Sequence, residues 1–365
     1  MKYIDDYRSP EFIGTISKKI QELAEKIPHP INLMEVCGTH TMTIGKFGIR
    51  QILPENIKLI SGPGCPVCVT PDSYIDKAIT LSRKKNVIIT TFGDMMKVPG
   101  SYSSLEKEKS AGMDIRVVYS PLEAVDIAEK NPEKKIVFLG IGFETTAPAV
   151  GLAIKKAHYE KTGNFYVLSG HKLIPPAMEI LMRDREVNID GFICPGHVSA
   201  ITGSIPYFSI SRKYRVPCVI TGFEPADILE SILILTKKIV ENRKTDVEIQ
   251  YKRVVREGGN IKARKVLEEV FDIVDSEWRG LGVIRKSGLA IKEKYRDIDA
   301  DFQFSIRVKK TKKRCGCICG DILKGKKIPP DCRMFGKLCT PENPLGPCMV
   351  SSEGSCAAYY RYGNK

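Results

Sequence analysis

Eight short apolar runs, seven of them followed by a polar, glycine-bearing exit, most constrain how this chain can fold. The runs are Ile31 to Val36, Ile57 to Ile60, Val87 to Phe92 and Ile115 to Tyr119, then Ile136 to Ile141, Phe165 to Leu168, Gly191 to Cys194 and Val216 to Thr221. Helix-type stretches separate them, among them Tyr74 to Lys84, Ala147 to Lys161, Pro176 to Arg185 and Ser199 to Tyr214. Strands that alternate with helices pair in parallel, because each return crossing is made by a helix. The expected fold class is therefore α/β, with two parallel-sheet, Rossmann-like blocks over 30–125 and 126–224. A helix read over Glu11 to Ile27 is ended by Pro28 and Pro30, and amphipathic helices follow over Ala226 to Val240 and Asn260 to Val274. Gly280 to Tyr295 is weakly β in character. Residues 1–29 and 225–365 are expected to form a third, helical and irregular domain that ends in a cysteine-rich tail.

The strand exits carry more information than the strands. They read Cys37-Gly38-Thr39-His40, Gly62-Pro63-Gly64-Cys65-Pro66-Val67-Cys68 and Gly93-Asp94 in the first block. In the second they read Gly140 to Thr146, Ser169-Gly170-His171, Pro195-Gly196-His197 and Gly222-Phe223-Glu224-Pro225. Turns between strands and helices need glycine on backbone grounds alone. That need does not explain cysteine, histidine, glutamate and aspartate recurring at one sheet edge. Ligands of open α/β sheets bind outside the carboxyl ends of the strands, so a cleft between two such edges is the expected site.

Cys65-Pro66-Val67-Cys68 reads as a redox pair or as two thiolate ligands for a soft metal, which Cys37 and His40 would complete. His171 and His197 lie at the same edge and are taken as functional, whereas His29 and His158 are given no role. Cys194 and Cys218 sit inside strand runs and read as core. Glu144 is either an acid/base or hydrogen-bonding group facing the cleft, or a cap for the helix starting near Ala147. Gly45-Lys46 is not a phosphate loop: the spacing from Gly38 is too long, and Phe47 stands where a hydroxyl is required.

Seven of the twelve cysteines fall between Cys315 and Cys356, in a stretch too poor in apolar residues to hold itself together. No run approaches the about 18 apolar residues of a membrane span, and Met1 to Pro10 is polar, so a soluble cytoplasmic protein is expected. Under reducing conditions such a tail implies a metal or cluster rather than disulfides. It lacks both the paired Cys-x-x-Cys typical of zinc and the ferredoxin run, so spacing leaves iron-sulfur and zinc open, with iron-sulfur favoured. The net charge of +14 permits an anionic partner, but the run Lys309 to Arg314 has no interleaved aromatics. It reads as a solvated linker and not as a nucleic-acid surface.

Taken together, Cys37 to His40, Gly62 to Cys68, Phe92 to Gly100, Gly142 to Thr146, Pro195 to His197 and the cysteine tail resemble the HypD family of hydrogenase maturation factors. The resemblance implies two α/β domains and a third that carries a 4Fe-4S cluster on Cys317, Cys332, Cys339 and Cys356. It also implies a thiol pair, Cys319 and Cys348, beside the cluster, similar to the arrangement in ferredoxin-thioredoxin reductase; Cys315 receives no role. Such proteins act with the small chaperone HypC as a redox-active scaffold on which the Fe(CN)2CO unit of NiFe-hydrogenase is assembled, with cyanide coming from HypE. Cys37 would be the iron ligand shared with HypC, with His40 close by. Cys65 and Cys68 would be further iron ligands or the pair that passes electrons. The rival readings are a stand-alone iron-sulfur thiol oxidoreductase and a zinc-stapled nucleic-acid-binding module.

Overall fold

The structure, a computed structural model describing residues 6–308 and 316–363, contains eleven strands among the described residues. They are β1 (Ile31–Glu35), β2 (Ile57–Ser61), β3 (Val87–Thr91), β4 (Ile115–Val117), β5 (Lys135–Gly140), β6 (Phe165–Ser169), β7 (Gly191–Pro195), β8 (Cys218–Thr221), β9 (Val247–Ile249), β10 (Phe271–Trp278) and β11 (Gly282–Ile291). The first eight coincide with the eight apolar runs to within two residues at each end. Cys315 and the basic run Lys309 to Arg314 lie outside the described residues.

The strands pair differently from the two-block expectation. One parallel sheet has the order β2-β1-β7-β8-β9 and the other the order β4-β3-β5-β6. The division at residue 125 is thus corrected: β3 and β4 join β5 and β6, and the chain then returns to the first sheet, where Leu33 pairs with Gly191. Apolar runs identify strands, but lateral order depends on how the crossing helices pack, which no single run encodes. The expected third unit is reduced in the same way. The helix Pro10–Ala24 and the helix Pro225–Val240 cover the first sheet, with Ile16, Ile20, Ile228 and Ile232 in one core with Ile31 and Leu33. The antiparallel hairpin β10–β11 packs on the second sheet, where Phe271, Leu289 and Ile291 share a core with Ile88 and Phe138. A third apolar cluster runs from Cys65 and Cys68 through Trp278 to Cys339, Cys348 and Cys356.

Local chemistry accounts for the helix boundaries. Pro10 occupies the first turn of its helix and Ser9 Oγ accepts from the Phe12 amide at 3.5 Å. The helix expected over Ser199 to Tyr214 is broken into Gly196–Thr202 and Ile205–Tyr214. Gly203 between them has φ +76°, and a Cβ there would lie 1.9 Å from the Glu257 carbonyl oxygen. Among the described residues, no helix is long and apolar enough to cross a membrane.

Candidate functional site

Numbered by their own chain order, the strands of the first sheet run 2-1-3-4-5, a doubly wound order whose direction reverses between β1 and β7. Such a switch point opens a crevice at the carboxyl ends, because the two connections leave in opposite directions. The exits flanking it are Cys37-Gly38-Thr39-His40 after β1 and Gly196-His197 after β7. The second sheet reverses between β3 and β5, whose exits hold Asp94 and Glu144.

Cys37 caps the helix Gly38–Lys46 in extended conformation, so its side chain and that of His40, one turn on, sit over the β1 exit. The thiol is 7% exposed, and burial raises it to about 12, with the nearby Glu353 and Glu35 carboxylates adding to the rise. His40 is fully buried, and Nε2 lies 2.9 Å from the Gly222 carbonyl oxygen and 3.3 Å from that of Thr221. Two acceptors at one nitrogen require it to carry the proton, which leaves Nδ1 as a bare lone pair. Nδ1 has no hydrogen-bond partner, and burial lowers the imidazole to about 4, so the ring is neutral at physiological pH. His40 and His197 both stack on Phe223, with ring centroids 5.0 and 3.9 Å apart. His197 is the exposed member of the group, and burial of the rest of its ring lowers it too.

Cys65 and Cys68 are joined as a disulfide with Cα atoms 5.2 Å apart, and they are 3% and 0% exposed. Cys65 caps the single turn Pro66–Val69, where proline at the first position suits a helix start. The Gly-Pro-Gly ahead of it brings the pair against Cys37: the Gly38 amide donates to the Gly64 carbonyl at 3.0 Å and the Gly62 amide to that of Glu35 at 2.8 Å. The structure therefore packs the β1 exit that carries Cys37 backbone to backbone against the β2 exit that carries Cys65 and Cys68. The expected open cleft is corrected, because all three sulfurs are nearly covered. The cover is the segment 347–353. Ser351 Oγ donates to Asp94 Oδ2 at 3.0 Å, Thr39 Oγ1 donates to Glu353 Oε1 at 2.6 Å, and the Pro347 carbonyl oxygen lies 3.9 Å from Cys68 Sγ. One short segment thus ties the exits of both sheets.

The same segment leads into the cysteine tail. Cys317, Cys332, Cys339, Cys348 and Cys356 line one small cavity with Ile322, Met334 and Met349. Burial raises the Cys356 thiol, with a further rise from Cys317, Cys339 and Cys332, and burial likewise raises Cys339. Cys319 is buried and raises Cys317 through a hydrogen bond. Among the described residues no three His, Cys, Asp or Glu side chains are set to hold a metal ion. The donor set nonetheless suits a cluster: several thiols line one apolar cavity, and the mutual repulsion that keeps them protonated would be offset by the positive charge of bound iron.

Two expected residues lie elsewhere. Glu144 accepts from the Ile174 amide at 3.1 Å and so caps the helix Ile174–Arg183, not the helix Ala147–Tyr159. It also lines a cavity of about 740 Å³ with Leu173, Pro175, Ile205, Phe271 and Leu289. His171 is buried at the end of β6, lies 5.9 Å from the Phe271 ring and has no partner on either nitrogen; burial lowers it to about 3. Neither residue shares a contact with Cys37 among those described.

Burial raises Glu144 from 4.5 to about 7. Between those values the folded state keeps a proton that the unfolded chain has lost, so this residue's contribution to stability falls as pH rises from about 4.5 to 7. Glu144→Gln retains an acceptor for the Ile174 amide and removes that loss. Urea unfolding at pH 8 is expected to find the variant more stable by up to roughly 3 kcal/mol, at about 1.4 kcal/mol per tenfold change in proton affinity. At pH 4 the difference should vanish; equal curves at both pH values would contradict the assignment.

Three residues of the site escaped the sequence reading. Glu35 is fully buried, is raised to about 7 by burial, and accepts from Thr41 Oγ1 at 2.6 Å and from the Cys37 amide at 3.4 Å. Its signal is a lone acid near the end of an apolar run. Phe223 was read only as part of a glycine exit, and Glu353 had no signal apart from its place among the cysteines.

The HypD family model, described as hydrogenase formation hypA family, matches residues 11–363. The chain is 44% identical to hydrogenase maturation factor HypD2 of Bradyrhizobium diazoefficiens over 100% of this chain and 97% of that protein. It is 44% identical to HypD of Cupriavidus necator, over 100% and 97% of the two chains. It is 41% identical to HypD of Escherichia coli, over 99% and 98%. With a match across nearly its whole length, the chain belongs to the HypD family of hydrogenase maturation factors.

Proposed function

We propose that this protein is the scaffold on which, with a HypC-type small chaperone, the Fe(CN)2CO unit is assembled, with cyanide delivered by a HypE-type donor. The observation that carries the reading is that Cys37 and His40 lie one turn apart on the exit of β1 at the switch point, with the His40 Nδ1 lone pair buried and unpartnered. Thiolate and imidazole are fitting donors for low-spin iron with strong-field ligands. With Cys37 held protonated by burial, iron must displace its proton, so loading releases acid and is favoured by rising pH. The exposed His197 side is where cargo and the partner's ligand would enter.

Cys317, Cys332, Cys339 and Cys356 would hold the 4Fe-4S cluster, which supplies electrons singly when bound. Cys65 and Cys68 take up two electrons and two protons as the disulfide opens to two thiols. Cys348 lines the tail cavity next to Pro347, whose carbonyl oxygen lies near Cys68, and with Cys319 would serve as the thiol pair beside the cluster. Nine cysteines stay free among the described residues, which supports a reducing, cytoplasmic setting.

The disulfide beside the tail cavity also favours one other reading, a stand-alone thiol oxidoreductase. Anaerobic iron and zinc analysis separates them. The scaffold reading expects more than the cluster's four irons per chain when the chaperone is co-purified, and the oxidoreductase reading expects four; zinc without a brown chromophore would sink both. Cys356→Ala should lose the chromophore and the cluster iron, while circular dichroism shows the two sheets intact. Retention of the full chromophore would remove Cys356 from the ligand set.

A further inference from the structure

We infer that Phe223 is a positioning residue for both imidazoles of the proposed cargo site, an inference that rests on the reading above. The β8 exit approaches His40 in two ways at once: the carbonyls of Thr221 and Gly222 accept from its Nε2–H, and the Phe223 ring stacks on it at 5.0 Å and 29°. The same phenyl ring stacks on His197 at 3.9 Å and 24°. Tyr251 meets Phe223 edge-on at 5.7 Å and fixes its plane. The neighbouring turns are cleared for this contact: a Cβ on Gly196 would lie 3.2 Å from Phe223 Cε2 and 2.5 Å from the Thr221 carbonyl oxygen. Hydrogen bonds to the two carbonyls alone leave the His40 ring free to rotate about the Nε2 direction, and none is described that orients His197. The phenyl face supplies the missing restraint, holding the His40 and His197 rings in fixed planes on the exits that flank the switch point. Second-sphere groups of this kind set ligand orientation without touching the metal.

The test uses the full chain with its cluster in place, selective 13C labelling of histidine and ferrous ion as the probe. Phe223→Leu is expected to move the Cε1 protons of His40 and His197 downfield, because the shielding face of the ring is gone. Ferrous-ion affinity by anaerobic equilibrium dialysis should fall about 10- to 100-fold. Phe223→Tyr, which keeps the ring, should restore both readouts. Phe223→Met, similar in volume and lacking the ring, repeats the measurement should the leucine variant not fold. If the leucine and methionine variants bind ferrous ion as the parent does while Cys37→Ala does not bind it, the positioning role is overturned and the scaffold reading stands. If Cys37→Ala binds iron undiminished, the scaffold reading fails and takes this one with it.

Discussion

Cys37→Ala is expected to abolish hydrogenase maturation while leaving the fold, the tail cluster and the Cys65–Cys68 pair intact. The substitution removes one sulfur from a helix cap that relies on no side-chain hydrogen bond. Its structural cost is therefore that of a small cavity, about 1 kcal/mol. Its chemical cost is complete because the neighbouring sulfurs are the pair that cycles between disulfide and dithiol, and in the disulfide they are bound to each other beneath the segment around Pro347. Complementation of a deletion strain, scored by hydrogenase activity, reads the first expectation. Thermal unfolding and iron content of the purified variant read the second. Wild-type maturation by the variant would show that Cys37 is not the cargo ligand. Cys37→Ser should also fail, because a hydroxyl is a poorer ligand for soft iron than a thiolate.

Gly64→Ala should be the most damaging single methyl in the site. A Cβ at this position would lie 2.2 Å from the Cys37 amide nitrogen and 2.4 Å from its Cα, against backbone that cannot turn aside. Either the β2 exit withdraws and breaks the Gly38 to Gly64 hydrogen bond, or β1 itself shifts. Overpacking typically costs roughly 1–3 kcal/mol, and more where backbone must move, so a loss at or above the top of that range is expected in urea unfolding. Iron retention should fall with it, because Cys37 is displaced even in molecules that remain folded. Gly14→Ala is the matched control. It lies in the helix Pro10–Ala24 with nothing within 4 Å of its Cβ, and should gain roughly 0.5–1 kcal/mol by restricting the unfolded chain. Similar stabilities for the two variants would contradict the close approach of the β1 and β2 exits.

These two glycines show where sequence reading succeeds and where it stops. Ile31 to Val36 and its seven counterparts were legible as strands because each is a short apolar run closed by glycine or a polar turn. Only β11 of the hairpin was legible, within the weakly β stretch Gly280 to Tyr295. The helix expected over Asn260 to Val274 ends at Val270, and β10 begins at Phe271; its mostly solvent-facing residues, with Ile273 61% exposed, lack the apolar signature of the central strands. Lateral order was not legible at all. Nothing in Leu33 or Gly191 announces that they pair across some 160 residues, yet that pairing creates the switch point whose flanking exits carry Cys37 and His197. The candidate thiols could be named from their exits, since cysteine and histidine recur there beyond what turns need. Glu144 and His171 shared that signal and went elsewhere, because a strand exit fixes an edge and not a neighbour. Phe223 and Glu35 escaped for the opposite reason: an aromatic or a lone acid at a strand end is unremarkable until its partners are known.

Infrared spectroscopy on anaerobic protein co-purified with its HypC-type partner, with Mössbauer counting of iron, reads the cargo on Cys37 itself. Cyanide and carbonyl stretches should accompany iron beyond the cluster's four, and both should vanish in Cys37→Ala with the cluster signal unchanged. Diatomic stretches that persist in that variant, or iron confined to the cluster in the parent protein, would contradict the claim that Cys37 carries the cargo.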